Sequence, residues 1–495
     1  GTHVLTNNDN LSEIENITLS GSTINLTNQV EGFNITGAAG IDIITAGGGD
    51  DIIIVSNEGE ADDDGIEGGA GTNQIKVSTG VHRFATDGNI NNIDEIIAHS
   101  SGSTINLNGQ TEGFTITGDN GGDTLKGGSG DDTIQGKGGS DDLTGGGGND
   151  TFKIETGTDS ISDLNTGDNF QVSASATLNA TGITEFSAGG TTTNHASGVA
   201  NLTTDTTAGG NIDMSGAGSG AFNISVGAGT DDITGGSDDD TITILGTGQG
   251  DADKLDGSGG DDTLVLSTGT HTFSTDGNLA NIETINTNAS GGTLVLTDQS
   301  EIFTITGGNG ADIITGGDNV DTINTGGNVD YLKGGLGDDD LTGGSGDDTF
   351  KIDSGTDTVR DLGDGNDIFI VDPGATMDAV DITSFTATGS STNNGGTAKL
   401  TAKATVGGVI KMNSAGAGSY NLIAGSGTDT LWGGAEGDII TIVASGQGDA
   451  DTIDGYGGTD VIQLSDGTHT FTTNDNMIQN IEEIKVDNAS GSTVD

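Results

Sequence analysis

The chain has 495 residues, with 92 glycines, one proline and no cysteine; only 30% of residues are hydrophobic and 3% aromatic. A globule of this length needs an apolar core that such a composition cannot supply, so any stable fold must come from a strict repeat rather than from one large hydrophobic interior. The formal charge of −62, from 75 acidic and 13 basic residues, excludes nucleic acid as a partner, because phosphate binding needs Lys/Arg patches, and leaves divalent cations as the natural counter-ions.

In chain order, the first unit opens with GTHVLTNNDNLSEIENI (1–17) and continues into two nine-residue pieces, GAAGIDIIT and AGGGDDIII (37–54), followed by GEADDDGIE. The next piece, GGAGTNQIK (68–76), carries Asn73 where its neighbours carry aspartate. A second unit begins at GVHRFATDGNINNIDEI (80–96) and leads to four unbroken nonapeptides over 118–153: GDNGGDTLK, GGSGDDTIQ, GKGGSDDLT and GGGGNDTFK. A third unit begins at GTHTFSTDGNLANIETI (269–285) and leads to five over 307–351: GGNGADIIT, GGDNVDTIN, TGGNVDYLK, GGLGDDDLT and GGSGDDTFK. The motif is Gly-Gly-x-Gly-x-Asp-x-apolar-x. Glycines bend the backbone, aspartates offer hard oxygen ligands, and the apolar residue packs inward.

The sixth-position residues are Asp123, Asp132, Asp141 and Asp150 in the shorter run, and Asp312, Asp321, Asp330, Asp339 and Asp348 in the longer. Weaker copies add Asp42, Asp51 and Asp64 in the first unit, Asp231, Asp240, Asp253 and Asp262 in the second, and Asp429, Asp438, Asp451 and Asp460 in the third. All twenty are candidate metal ligands. Asn73 lacks the charge and is expected to weaken or abolish its site.

These runs resemble the RTX family of secreted calcium-binding proteins. The resemblance implies an all-β, right-handed parallel β-roll or β-solenoid in which two nonapeptides make one coil. It also implies Ca2+ held between stacked turns by the sixth-position aspartate and turn carbonyls.

After each run comes GTDSISDLNTGDNFQVS (157–173) or GTDTVRDLGDGNDIFIV (355–371), read as alternating strands around turns. The Gly/Ala/Ser/Thr-rich spacers 174–225 and 372–423 are read as strands that either continue the coil or form a small sandwich-like module. The units are therefore 1–79, 80–268, 269–466 and the start of another at 467–495. His82 and His271 stand at the same offset from their runs, and the longer unit differs by one whole nonapeptide. That is half a coil, so the extra repeat should move the downstream strands to the opposite sheet unless a loop absorbs it. At two nonapeptides per coil, the 198-residue period from His271 to His469 is expected to hold eleven coils. Gly1 corresponds to Gly269 and Asp495 to Thr297, which reads as a segment of a longer tandem array.

Catalytic signatures are missing: there is no HExxH motif, Gly-x-Ser-x-Gly elbow or Walker loop. His3, His82, His271 and His469 recur at one phase of the long repeat, which reads as a structural turn position rather than a catalytic one. The expectation is a non-enzymatic, calcium-folded structural protein of the bacterial exterior: a surface layer, filament or adhesin segment. It would be secreted, self-associating into a fibre or lattice, and not inserted in a membrane. The alternative is an accessory region of a secreted RTX enzyme or toxin whose active domain lies elsewhere.

Overall fold

One apolar residue between two polar ones, repeated every nine residues, can form only a very short strand with a single inward side chain. The computed structural model shows such strands throughout. It describes residues 1–5, 14–37, 40–56, 64–246, 252–443, 451–465, 468–469, 471, 477–486 and 493–494. The first turns of GEADDDGIE, GQGDADKLD and GQGDADTID, and the Asn/Asp-rich turns after His3 and His469, lie outside the described residues. Among the described residues there is no helix, and the strands of both runs pair in parallel. The fold is a β-solenoid. The chain divides into two units, Gly1–Thr243 with Gly257–Asp261, and Ile244–Asp256 with Asp262–Asp495.

In the first unit, Thr124–Lys126 pairs with Asp142–Thr144, and Thr133–Gln135 with Thr151–Ile154. Partners are eighteen residues apart, so successive nonapeptides alternate between two ladders and two of them complete a coil. The eighth-position residues Leu125, Ile134, Leu143 and Phe152 are fully buried, as are Ile314, Ile323, Leu332, Leu341 and Phe350 in the second unit. Each inward residue stacks on its equivalent one coil away, giving a thin core of side-chain ladders.

The spacers continue the coil. Ala176–Ile183 pairs with Val199–Thr204, and Thr376–Ile382 with Thr397–Ala402, all in parallel register. Their coils are longer, with 22 residues from Thr177 to Val199 against 18 from Thr322 to Asp340. The extra length carries a third strand. In the first unit Glu185–Ser187 starts a new ladder while the older one ends at Thr193–Asn194. In the second, Ser384–Thr386 starts one while the older ends at Thr392–Asn393.

These long coils correct the expected coil number. Ten pairings, not eleven, link Thr284–Asn286 to Glu483–Val486 among the described residues.

The odd nonapeptide does change the face. In the first unit the strand of His82, Gly80–Arg83, belongs to the ladder that runs on through the spacer strand Ala176–Ile183. In the second unit the strand of His271, Gly269–Thr272, belongs to the ladder that ends in the spacer at Thr392–Asn393. Four repeats return the chain to the starting ladder; five leave it on the other one.

Candidate metal sites

The sixth residue of each turn directly precedes a strand, and the stacking of coils tucks its carboxyl group beneath the backbone of its neighbour. All twenty candidate aspartates are at most 4% exposed. They stand in register. Asp123 N–H donates to Asp141 Oδ1 at 2.8 Å, and Asp132 N–H to Asp150 Oδ1 at 2.8 Å. Asp312, Asp330 and Asp348 form one column with bonds of 2.8 and 2.9 Å, and Asp321 donates to Asp339 at 2.8 Å in the other. The weaker copies do the same: Asp42 to Asp64, Asp429 to Asp451, and Asp438 to Asp460, at 2.7–2.8 Å.

The columns extend past the nonapeptides to residues that the motif does not mark. Asp141 and Asp150 donate to Asp159 and Asp168, while Asp339 and Asp348 donate to Asp357 and Asp367, all four acceptors being buried. Their spacing of eighteen or nineteen residues was the available signal, hidden by the missing Gly-Gly pair. Glutamates end other columns: Asp262 N–H donates to Glu283 and Asp460 N–H to Glu482, both at 2.7 Å.

The second carboxylate oxygen distinguishes two situations. In some aspartates it accepts from its own turn: Asp132 Oδ2 from Gly128 N–H at 2.7 Å and Asp321 Oδ2 from Gly317 N–H at 2.8 Å near the head of a column, and Asp168 Oδ2 from Asn165 N–H at 2.9 Å and Asp367 Oδ2 from Gly363 N–H at 2.6 Å further along. In others, Asp150, Asp339, Asp357 and Asp460 among them, Oδ2 is buried with no hydrogen-bond partner. A buried carboxylate oxygen in that state needs a proton or a cation. In the runs this oxygen lies against the first glycine of its turn. A Cβ built on Gly145 would collide with Asp150 Oδ2, and one on Gly334 with Asp339 Oδ2. On Gly316 it would stand 2.6 Å from Asp321 Oδ2 and also strike the Gly334 carbonyl of the next coil. Glycine thus keeps a small space lined by a carboxylate and main-chain carbonyls.

Electrostatics agree. Burial, opposed by the ladder N–H groups and reinforced by neighbouring aspartates, pushes Asp141, Asp150 and Asp339 up to about 7 and Asp357 to about 8. Asp321 and Asp348 rise to about 6, chiefly through burial. The charged form is therefore costly in the fold by itself, and a positive charge among the turns would relieve that cost. Among the described residues no three acidic or histidine side chains converge as a cage. The donor set is instead one carboxylate per turn plus carbonyls, an all-oxygen set suited to a hard cation such as Ca2+.

The structure also places Asn73 and the repeated histidines. Asn73 occupies its place in the column and accepts from Asp51 N–H at 3.1 Å, but its Nδ2 donates to the Asn92 carbonyl at 3.1 Å. An N–H donor thus faces a carbonyl where other turns present a bare oxygen. His82, His271 and His469 are buried, and their Nε2 groups lie 3.0, 3.1 and 2.9 Å from the carbonyls of Ser78, Ser267 and Ser465. A carbonyl only accepts, so Nε2 carries the proton. These histidines brace a turn, while His3 is exposed.

Fold and turns together define a parallel β-solenoid with a carboxylate at successive bends. The RTX calcium-binding nonapeptide repeat, taken in four copies, matches residues 34–57, 117–152, 223–243, 247–270, 304–332, 324–359, 414–441 and 443–468. The chain carries RTX calcium-binding nonapeptide repeats in several copies along its length. No curated protein matches it.

Proposed function

We propose that this chain is a structural protein of the bacterial cell exterior that folds when its turns bind calcium. The observation that carries the reading is the register of buried aspartates, with Oδ2 of Asp150, Asp339, Asp357 and Asp460 lacking a donor, set against glycines that leave room for an ion. The twenty aspartates named from the sequence are the proposed ligands, joined by Asp159, Asp168, Asp357 and Asp367. Aspartates whose Oδ2 accepts from their own turn, such as Asp132, Asp321, Asp168 and Asp367, would contribute after that N–H is released.

The same chemistry accounts for export. Sites of the extracellular type bind at about 0.1–1 mM, so they stay empty in the cytosol and fill outside, where binding free energy becomes folding free energy. RTX repeat proteins are typically secreted, which supports this location. Repetition of whole units, rather than one run beside a catalytic body, favours a surface layer, filament or adhesin over an accessory region of an enzyme or toxin. No helix among the described residues is long and apolar enough to cross a membrane. Parallel strands with open edges suit self-association by stacking.

The test is a calcium titration of metal-depleted protein, followed by circular dichroism and by negative-stain imaging. Gain of β signal with millimolar calcium and the appearance of lattices or fibres are expected. An unchanged β signal would refute calcium-driven folding, and single short particles at saturating calcium would refute assembly.

A further inference from the structure

The calcium reading leaves the spacers 174–225 and 372–423 without an account. They belong to the same coil, yet no carboxylate within either is buried among the described residues. Their turns must satisfy buried carbonyls by other means.

Buried amides take that place. In the first unit Asn194, 5% exposed, donates through Nδ2 to the Ala221 carbonyl at 2.6 Å and reaches the Gly198 carbonyl at 3.4 Å. In the second, Asn393, 6% exposed, donates to the Ser419 carbonyl at 2.7 Å. Both amides serve the turn just before an aromatic residue, Phe222 or Tyr420. Tyr420 adds a second donor, with its hydroxyl 3.2 Å from the Gly416 carbonyl and 3.3 Å from that of Ala417. Gln110 and Gln299 act alike at the head of each run, with Nε2 donating to the carbonyls of Phe84 and Thr86, and of Phe273 and Thr275.

The spacers also build larger cores, around Phe170 and Phe369 of the segments just before them. Phe170 stacks on Phe186 at 6.0 Å and meets Phe222 edge-on at 6.1 Å. Phe369 lies 5.9 Å from Phe385 and meets Tyr420 edge-on at 6.1 Å. The nonapeptide coils, in contrast, bury single Ile, Leu or Phe side chains. Oxygens without partners occur in both, but they belong to carboxylates such as Asp150 and Asp339 in the runs and to the neutral amides of Asn194 and Asn393 at these spacer turns.

We infer that the spacers are metal-independent coils in which the amides of Asn194 and Asn393, and the Tyr420 hydroxyl, perform the turn-bracing role that calcium performs in the runs. An amide N–H and a cation both supply positive charge to a carbonyl, but only the amide is covalently present before export. The chain therefore alternates segments that are ordered without metal and segments that wait for it. This rests on the calcium reading of the runs, and the experiment separates the two.

Hydrogen–deuterium exchange of the full chain, with calcium and after metal depletion, reads each segment. The spacers 174–225 and 372–423 keep their protection in both conditions. The runs 118–153 and 307–351 lose about a hundredfold on depletion, the scale of a local opening transition. Spacers that lose protection together with the runs overturn this inference and leave the calcium reading intact. Runs that stay protected without metal overturn the calcium reading instead. Asn393→Asp, which replaces the donor facing Ser419 with an acceptor, should make protection of 397–423 depend on calcium; protection independent of calcium in that variant counts against the amide's role.

Discussion

Asp321 donates its backbone N–H to Oδ1 of Asp339 at 2.8 Å, while Oδ2 of Asp339 is buried with no hydrogen-bond partner. One oxygen of this carboxylate holds two coils together, and the other is free to hold an ion. Side-chain changes at Asp339 therefore separate the two duties.

Asp339→Ala removes both. It leaves the Asp321 N–H buried and unpaired, at a cost of about 1–3 kcal/mol before any loss of metal. Asp339→Asn keeps the Oδ1 acceptor but removes the charge. Calcium titrations followed by circular dichroism should give midpoints rising in the order parent, Asn, Ala. Identical midpoints for parent and Asn would remove Asp339 from the ligand set.

Glycine placement gives a paired test within one turn. A Cβ on Gly145 collides with Asp150 Oδ2, whereas on Gly147 its nearest neighbours are Ser129 atoms at 3.7 and 3.8 Å, an ordinary contact. Gly145→Ala should lower calcium affinity markedly and Gly147→Ala should change it little. Isothermal titration calorimetry distinguishes them, and equal affinities would contradict the proposed position of the ion.

The pH dependence of the metal-depleted protein has a defined sign. Asp141, Asp150 and Asp339 titrate near 7 and Asp357 near 8 in the fold, against a reference of 3.8. Raised carboxyl values mean that the folded state holds protons the unfolded state has released. Their favourable contribution is complete below pH 3.8 and is lost as pH rises through about 7 to 8. Without metal, β structure should therefore be greater near pH 4 than near pH 8. With calcium the order should reverse, because binding needs the carboxylates deprotonated. Far-ultraviolet circular dichroism at both pH values, with and without calcium, checks both signs.

Core ladders should matter even when the sites are full. Leu332 is fully buried and stands between Ile314 and Phe350 in its ladder. Leu332→Ala should cost about 2–5 kcal/mol in saturating calcium, measured by urea denaturation. A cost below that range would mean that the coil collapses around the cavity.

Much of the architecture was legible because a nine-residue period leaves few options. The apolar eighth position must point inward, and all nine such residues in the two runs do. The aspartate positions were legible for the same reason. Asp159, Asp168, Asp357 and Asp367 escaped because their turns lack the glycine pair, although their backbone partners treat them like the others. Coil number was overestimated because the spacer coils carry a third strand, which no nine-residue count contains.

By itself, the sequence determined the period, the inward and turn positions and the kind of ion the turns suit, since these follow from local backbone freedom and from side-chain chemistry. Only the tertiary structure decided that the spacers continue the coil, that the fifth repeat shifts the ladder, and which carboxylate oxygens stay without donors. Those facts depend on which residues meet across coils eighteen to twenty-six positions apart, and there hydrogen bonds and burial, not sequence proximity, set each partner.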